Sequence, residues 1–204
     1  MDLDNTLFDQ KEYEFQMFEL ISHEVEKKYK IFSTIYKNKL IELFLNKMQY
    51  KIFDKAFIEI KGKIPEDWEL FVKNVVLKIY RNGKVNIHLW EEAIRVLNIL
   101  KGNNVLLALI TNGNLEVQKN KIKLLKIENV FDRIYISDSY KPPERKPSTR
   151  MFEDFLGEFN LNSNEVIHIG DDEKLDGAAL KVNISFYKIN SKYDWNKFLY
   201  KYKI

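Results

Sequence analysis

No cysteine occurs among the 204 residues, which removes disulfides, thiolate nucleophiles and zinc-finger sites together. Glycine and proline are scarce, at seven and four residues, and with 45% hydrophobic and 14% aromatic residues the chain falls outside the low-complexity and disordered classes. No apolar run approaches the roughly 20 residues of a membrane span, and the opening MDLDNTLFDQ has neither the cationic start nor the apolar stretch of a secretory signal. Neither sign of charge predominates: 33 Lys and Arg stand interspersed with 30 Asp and Glu, a formal +3 that builds no basic face for nucleic acid. The expectation is a soluble, cytoplasmic globular protein of one domain, or a core with a modest insertion.

What the chain does contain has two textures. Over 9–84, apolar residues recur at helical spacing: Phe18, Ile21, Val25 and Tyr29, then Leu40, Phe44 and Met48, then Trp68, Val72, Val75 and Ile79. This predicts a helical unit, with Pro65 in the first turn of its third helix and breaks at Gly62 and Gly83. From about residue 85, short β-rich runs alternate with helical ones. A helix is predicted over 90–101, burying Ala93, Ile94, Leu97 and Leu100, and strands over 105–111 (VLLALIT), 134–137, 166–170 (VIHIG) and 184–189. Such alternation predicts an α/β fold with a parallel sheet, and runs that are apolar throughout fit strands covered on both faces.

Two carboxylates, Asp2 and Asp4, open the chain. A strand leading into Asp2 would project its carboxylate beyond the carboxyl end of the sheet, where open α/β folds place ligands, and the next turn would bring Asp4 beside it. A second acidic group, Asp171 and Asp172, follows a predicted strand at Gly170, with Asp176 five residues after Asp171. Carboxylates converging from two strand ends suit magnesium, which takes a few carboxylates plus waters and substrate phosphate. A third strand ends in Thr111, Asn112 and Gly113, offering a hydroxyl and backbone N–H groups to an anion. Lys146, followed by Pro147, adds a positive charge.

In this order along one chain, the motifs resemble those of the haloacid dehalogenase (HAD) superfamily, and the resemblance covers almost all of the sequence. Motif I is matched by Asp2, Asp4 and Thr6, motif II by Thr111, motif III by Lys146 in KPSTRMF, and motif IV by GDDEKLD from Gly170 to Asp176. VQKNKIKLLKIENVFD over 117–132 is similar to a further family segment. The resemblance implies a Rossmann-like core over 1–8 and 85–204 with a helical C1 cap over 9–84. ITNGN and GDD are similar to the branch containing flavin mononucleotide phosphatases and pyrimidine nucleotidases.

The activity so implied is Mg2+-dependent hydrolysis of a small phosphorylated metabolite, a nucleotide, flavin or sugar phosphate. Asp2 would be the nucleophile and Asp4 the general acid and base. The Asp2 carboxylate, the Asp4 backbone carbonyl and Asp171 would hold the metal. Thr111, the Asn112 N–H and Lys146 would bind the phosphoryl oxygens, and Asp172 or Asp176 would act from behind the metal ligands. The cap would close over a diffusible substrate. The alternatives are a HAD phosphomutase, which would use the same acid pair, and an impaired binding or partner protein of the same shape. Dehalogenases resemble the chain less, because they lack an acid at the position of Asp4.

The sequence departs from the family pattern at two places. Four to six apolar residues, the first and central strand, normally precede the nucleophile; here only Met1 does, so the resemblance implies that the natural protein starts upstream and that a slot lies in mid-sheet. The second departure is Asp-Gly-Ala-Ala at 176–179, one residue short of the usual helix start, with Asn183 in place of the closing glycine. His168 reads as a structural histidine in an apolar strand, and His23 and His88 as surface residues. The tail SKYDWNKFLYKYKI places Trp195, Phe198, Leu199 and Tyr202 on one helical face, which predicts a docked terminal helix.

Overall fold

The computed structural model describes residues 1–48 and 50–203. These form two compact units, one holding Lys11–Asn86 and the other Met1–Gln10 with the chain from Ile87 onward.

In the helical unit the 3.6-residue spacing is realised in α1 (Gln10–Tyr29), α2 (Ser33–Leu45), α3 (Ile52–Lys61), α4 (Trp68–Phe71) and α5 (Leu77–Asn82). A wider π-helical turn, Val72–Val76, joins the last two. Phe18, Ile21 and Val25 of α1 share one core with Tyr36 and Leu40 of α2, Phe53 and Phe57 of α3, and Trp68 and Phe71 of α4. Trp68 packs with its ring centroid 4.2 Å from that of Phe57, and its indole N–H donates to Asp54 Oδ1 at 2.7 Å, so its polar end is satisfied.

Three details differ from the sequence reading of this unit. α3 is a separate helix, and its buried Ile52, Phe53, Ala56 and Phe57 lie on one helical face. α2 ends at Leu45, so Met48 lies past it and is partly exposed. Pro65 sits ahead of α4, its carbonyl accepting from Trp68 N–H at 3.0 Å. Gly62, at φ +81°, closes α3 in the left-handed conformation that glycine enters without strain.

In the sheet unit the order is α6 (Glu91–Gly102), β1 (Ala108–Thr111), α7 (Leu115–Leu124), β2 (Arg133–Ile136), α8 (Arg150–Phe159), β3 (Ile167–Gly170), β4 (Ser185–Lys188) and α9 (Asp194–Tyr202). β1 pairs in parallel with β2, Ala108 opposite Arg133, and β3 in parallel with β4, Ile167 opposite Ser185. Met1 and Asp2 lie between the two pairs. The Met1 amino group donates to Ala108 O at 2.7 Å, Met1 O accepts from Ile110 N–H at 2.8 Å, and Asp2 N–H donates to Ile169 O at 2.8 Å. Two residues therefore bridge the middle of the sheet. Beside Met1 is a largely apolar cavity of about 320 Å³, bordered by Leu107, Ala108, Phe152, Phe155, Ile169 and Phe198 among others.

All four residues of β1 are buried, as expected of a strand covered on both faces. Ala108 and Ile110 of β1 and Tyr135 of β2 share a core with Met151, Phe152 and Phe155 of α8 and with Ala178 and Ala179. In α6 the buried residues are Ala93, Val96, Leu97 and Leu100; Ile94, expected inside, is 40% exposed, because the buried stripe runs through Val96. α9 packs on α6, with Trp195 and Phe198 buried and the indole N–H donating to Thr6 O at 2.9 Å. Asn183, at φ +61°, ends the 3₁₀ segment Asp176–Val182 in the left-handed conformation.

Candidate active site

Backbone geometry at the carboxyl end of the sheet places each polar group. Asp2 is fixed by its N–H bond to β3. Asn5 then adopts φ +54° and Leu7 N–H returns to Leu3 O at 3.0 Å, a tight turn that keeps Asp4 near enough for its charge to act on Asp2. After β1, the Asn112 side chain grips the backbone of Lys146 from both sides: Oδ1 accepts from Lys146 N–H at 2.7 Å and Nδ2 donates to Lys146 O at 2.9 Å.

Held this way, the buried Lys146 directs its ammonium to three acceptors, Asp2 Oδ1 at 2.7 Å, Asp176 Oδ1 at 2.5 Å and Ile110 O at 3.1 Å. Asp176 also meets His168 Nε2 at 2.9 Å and accepts from Asp172 N–H at 3.1 Å. Only glycine fits at position 170, because a Cβ there would lie 2.3 Å from Asp176 Cγ. Asp2, Asp171 and Asp176 each present one oxygen within 4.8 Å of the others.

Of the residues singled out from the sequence, the structure thus brings together Asp2, Lys146, Asp171 and Asp176. Asp4 and Thr111 are joined through a residue the sequence reading did not single out. Gln118 Nε2 donates to Thr111 Oγ1 at 2.7 Å and to Asp4 Oδ2 at 3.1 Å, while Lys121 Nζ donates to Asp4 Oδ1 at 2.8 Å. The Asp172 carboxylate is exposed and turned into its own loop, accepting from Lys174 N–H at 2.8 Å and Leu175 N–H at 2.9 Å. Thr6 Oγ1 is buried with no partner among the described residues. His168, read as structural, is both packed against Phe152 and bonded to Asp176.

One ammonium faces two carboxylates in a dry setting, and the protonation states follow. Burial alone would raise Asp176, but hydrogen bonds from His168 and Lys146 hold it well below the usual carboxylate range. Burial, aided by the charge of Asp176, outweighs Lys146 at Asp2 and pushes its carboxyl up to about 7. Burial and then Asp176 raise Asp171 to about 6. Lys146 stays charged, since Asp2 and Asp176 together outweigh its desolvation. Burial, and then the charge of the amino terminus, lower His168 to about 3, so its imidazole is neutral.

Lys146→Met should therefore leave two buried carboxylates without their cation and destabilise the protein by about 3–5 kcal/mol. Urea unfolding at pH 7 measures this, and a loss below about 1 kcal/mol would show that the lysine does not neutralise them.

Against known proteins, a model of the haloacid dehalogenase-like hydrolases matches residues 1–189. The chain belongs to that family. This haloacid dehalogenase-like hydrolase is 34% identical over 79 residues to the glyceraldehyde 3-phosphate phosphatase of Pyrococcus abyssi; the match covers 39% of the chain and 32%, about a third, of that relative. Its fold is similar to the crystal structure of a predicted phosphoglycolate phosphatase from Haemophilus somnus 129pt, with a TM-score of 0.69 and 20% identity, covering 93% of this chain and 83% of the other. It is also similar to the HAD-hydrolase YfnB from Bacillus subtilis bound to magnesium, with a TM-score of 0.68 and 16% identity over 100% of this chain and 96% of the other.

The donor set of this family member suits a hard cation. The three converging groups are all carboxylates, the ligands magnesium favours over nitrogen or sulfur. The Asp4 carboxylate is committed to Gln118 and Lys121, so any hold of Asp4 on a metal falls to its backbone carbonyl.

Proposed function

We propose that the chain is a magnesium-dependent phosphomonoesterase that acts on a small phosphorylated metabolite through an aspartyl-phosphate on Asp2. The observation that carries this reading is the convergence of Asp2, Lys146, Asp171 and Asp176 at one end of the sheet, with Asp2 and Lys146 separated by 144 positions in the sequence. Carboxylates and an ammonium so gathered can take a phosphoryl group between a nucleophile and a fixed cation.

Asp2 attacks phosphorus as the bond to the ester oxygen breaks, and Asp4 gives its proton to the departing alkoxide. A water then attacks the aspartyl-phosphate, Asp4 takes a proton from it, and orthophosphate leaves Asp2 as a carboxylate. Lys146, the Thr111 hydroxyl and the Asn112 backbone N–H hold the phosphoryl oxygens, each such contact contributing about 2.7–4 kcal/mol to lowering the barrier. Asp176 positions the Lys146 ammonium. Asp2, Asp171 and the Asp4 carbonyl would hold magnesium, whose positive charge would let an anionic nucleophile approach an anionic ester. The helical unit Lys11–Asn86 is assigned as the cap domain that the family resemblance implies. Relatives described as acting on glyceraldehyde 3-phosphate and phosphoglycolate support a small substrate.

The test is orthophosphate release from a panel of p-nitrophenyl phosphate, glycerol phosphate, glyceraldehyde 3-phosphate, phosphoglycolate, nucleoside monophosphates, flavin mononucleotide and hexose phosphates, with Mg2+ or with a chelator. At least one ester should be hydrolysed, with turnover abolished by chelation and restored by Mg2+. Silence on every ester in Mg2+ would refute phosphatase activity, and turnover indifferent to chelation would refute the metal requirement.

A further inference from the structure

Gln118 and Lys121 lie three residues apart on one face of α7 and are almost wholly buried, at 1% and 2% exposure. Polar groups so placed are tolerable only when bonded. The backbone is arranged for these bonds. Asn114 Oδ1 accepts from Glu116 N–H at 3.1 Å to start the helix, and Gly113, at φ +146°, leaves the space that Gln118 crosses. A Cβ at position 113 would lie 3.0 Å from the Gln118 side chain.

We infer that Gln118 and Lys121 are positioning residues that lock the Asp4 carboxylate and the Thr111 hydroxyl into one arrangement. They decide which Asp4 oxygen exchanges the proton and which way Thr111 donates. The inference rests on the phosphatase reading above. Lys121 anchors Asp4 Oδ1 by a charged hydrogen bond, whereas Oδ2 accepts from the neutral Gln118 amide at the longer 3.1 Å. Oδ2 is therefore the oxygen that carries the proton. That proton passes from Oδ2 to the ester oxygen as its bond to phosphorus breaks and the bond from phosphorus to Asp2 forms. In the second half it is replaced from the attacking water as the Asp2–phosphorus bond breaks. Because Thr111 Oγ1 accepts from the Gln118 amide, its own O–H is left to donate to a phosphoryl oxygen.

The experiment compares Lys121→Met and Gln118→Met with the wild type on p-nitrophenyl phosphate, whose leaving group departs as a stable anion, and on glycerol 2-phosphate, whose alkoxide needs the proton. Both variants should lower the alkyl-to-aryl ratio of kcat by about 10². Gln118→Met should also weaken competitive inhibition by inorganic phosphate several-fold, and Lys121→Arg should recover part of the ratio. An equal fall on both esters would show a merely structural role and overturn the inference, as would an unchanged ratio. A wild type silent on both esters would remove the phosphatase reading and this inference with it, whereas wild-type turnover with a flat ratio removes this inference alone. If circular dichroism shows that a methionine variant does not fold, Gly113→Ala, which crowds Gln118 without deleting a donor, must reproduce the drop or the inference fails.

Discussion

Asp2→Asn is expected to abolish turnover and, above neutral pH, to leave the metal-free protein more stable than the wild type. Loss of Asp2 as the proposed covalent nucleophile removes on the order of 10⁴ or more from the rate. The stability effect has the opposite sign because the fold holds the ionised carboxylate at a disadvantage. Burial first, then the charge of Asp176, raise Asp2 from 3.8 to about 7 in spite of Lys146.

For an acid raised in this way, the unfolded chain releases its proton between pH 4 and 7 while the folded chain keeps it. Stability falls across that window and stays low above it. The difference between 3.8 and about 7 corresponds to at most about 4 kcal/mol. Asparagine keeps the shape and a carbonyl acceptor for Lys146 but cannot ionise. Urea unfolding of the two proteins in chelator should therefore coincide near pH 4, with the variant ahead at pH 8. A deficit for Asp2→Asn at pH 8 would show that the charge pair with Lys146 stabilises the fold more than desolvation weakens it. The expected outcome is that the carboxylate proposed as nucleophile is kept at the expense of stability.

Part of the site is legible in the sequence alone. The strand positions could be read because runs such as VLLALIT are apolar throughout and end in polar turns, and Asp2, Lys146 and Asp171 stood out because their order along the chain resembles one family. The separate helix α3 does not emerge from the apolar spacing, which runs from Met48 to Trp68 without using Ile52, Phe53, Ala56 and Phe57. Gln118 and Lys121 do not stand out in the sequence, since polar residues three apart on a helix usually mark its solvated side. Their burial depends on where Thr111 and Asp4 come to lie, and Asp4 is 117 positions from Lys121. The apolar strand around His168 marks it as structural, and its bond to Asp176 depends on the loop from Gly170 folding back towards β3. Pairwise geometry of this kind arises only once the sheet has formed.

Placing four β-branched residues, such as Val-Ile-Val-Ile, ahead of Met1 should raise the Tm by more than about 10 °C. The cavity beside Met1 is bordered by residues of β1 and β3, including Ala108 and Ile169, and the three bonds of Met1 and Asp2 already set the register and direction for a parallel strand. About six new hydrogen bonds at about 1 kcal/mol each and four buried side chains at about 2 kcal/mol each exceed about 2 kcal/mol of ordering per residue by about 6 kcal/mol. At 2–4 °C per kcal/mol for a chain of this size, the shift is large enough to read directly from a thermal melt. The extension also replaces an amine that burial, and then Lys146, depress from 8.0 to about 5. A base lowered in this way binds fewer protons folded than unfolded between pH 5 and 8, so its contribution to stability rises with pH through that window. Turning the amine into an amide removes that rise. The extended protein should therefore gain most near pH 5 and least near pH 8, on top of the constant gain from the new strand. An unchanged Tm, or added residues that a protease clips as fast as a free peptide, would mean that the cavity does not take a strand.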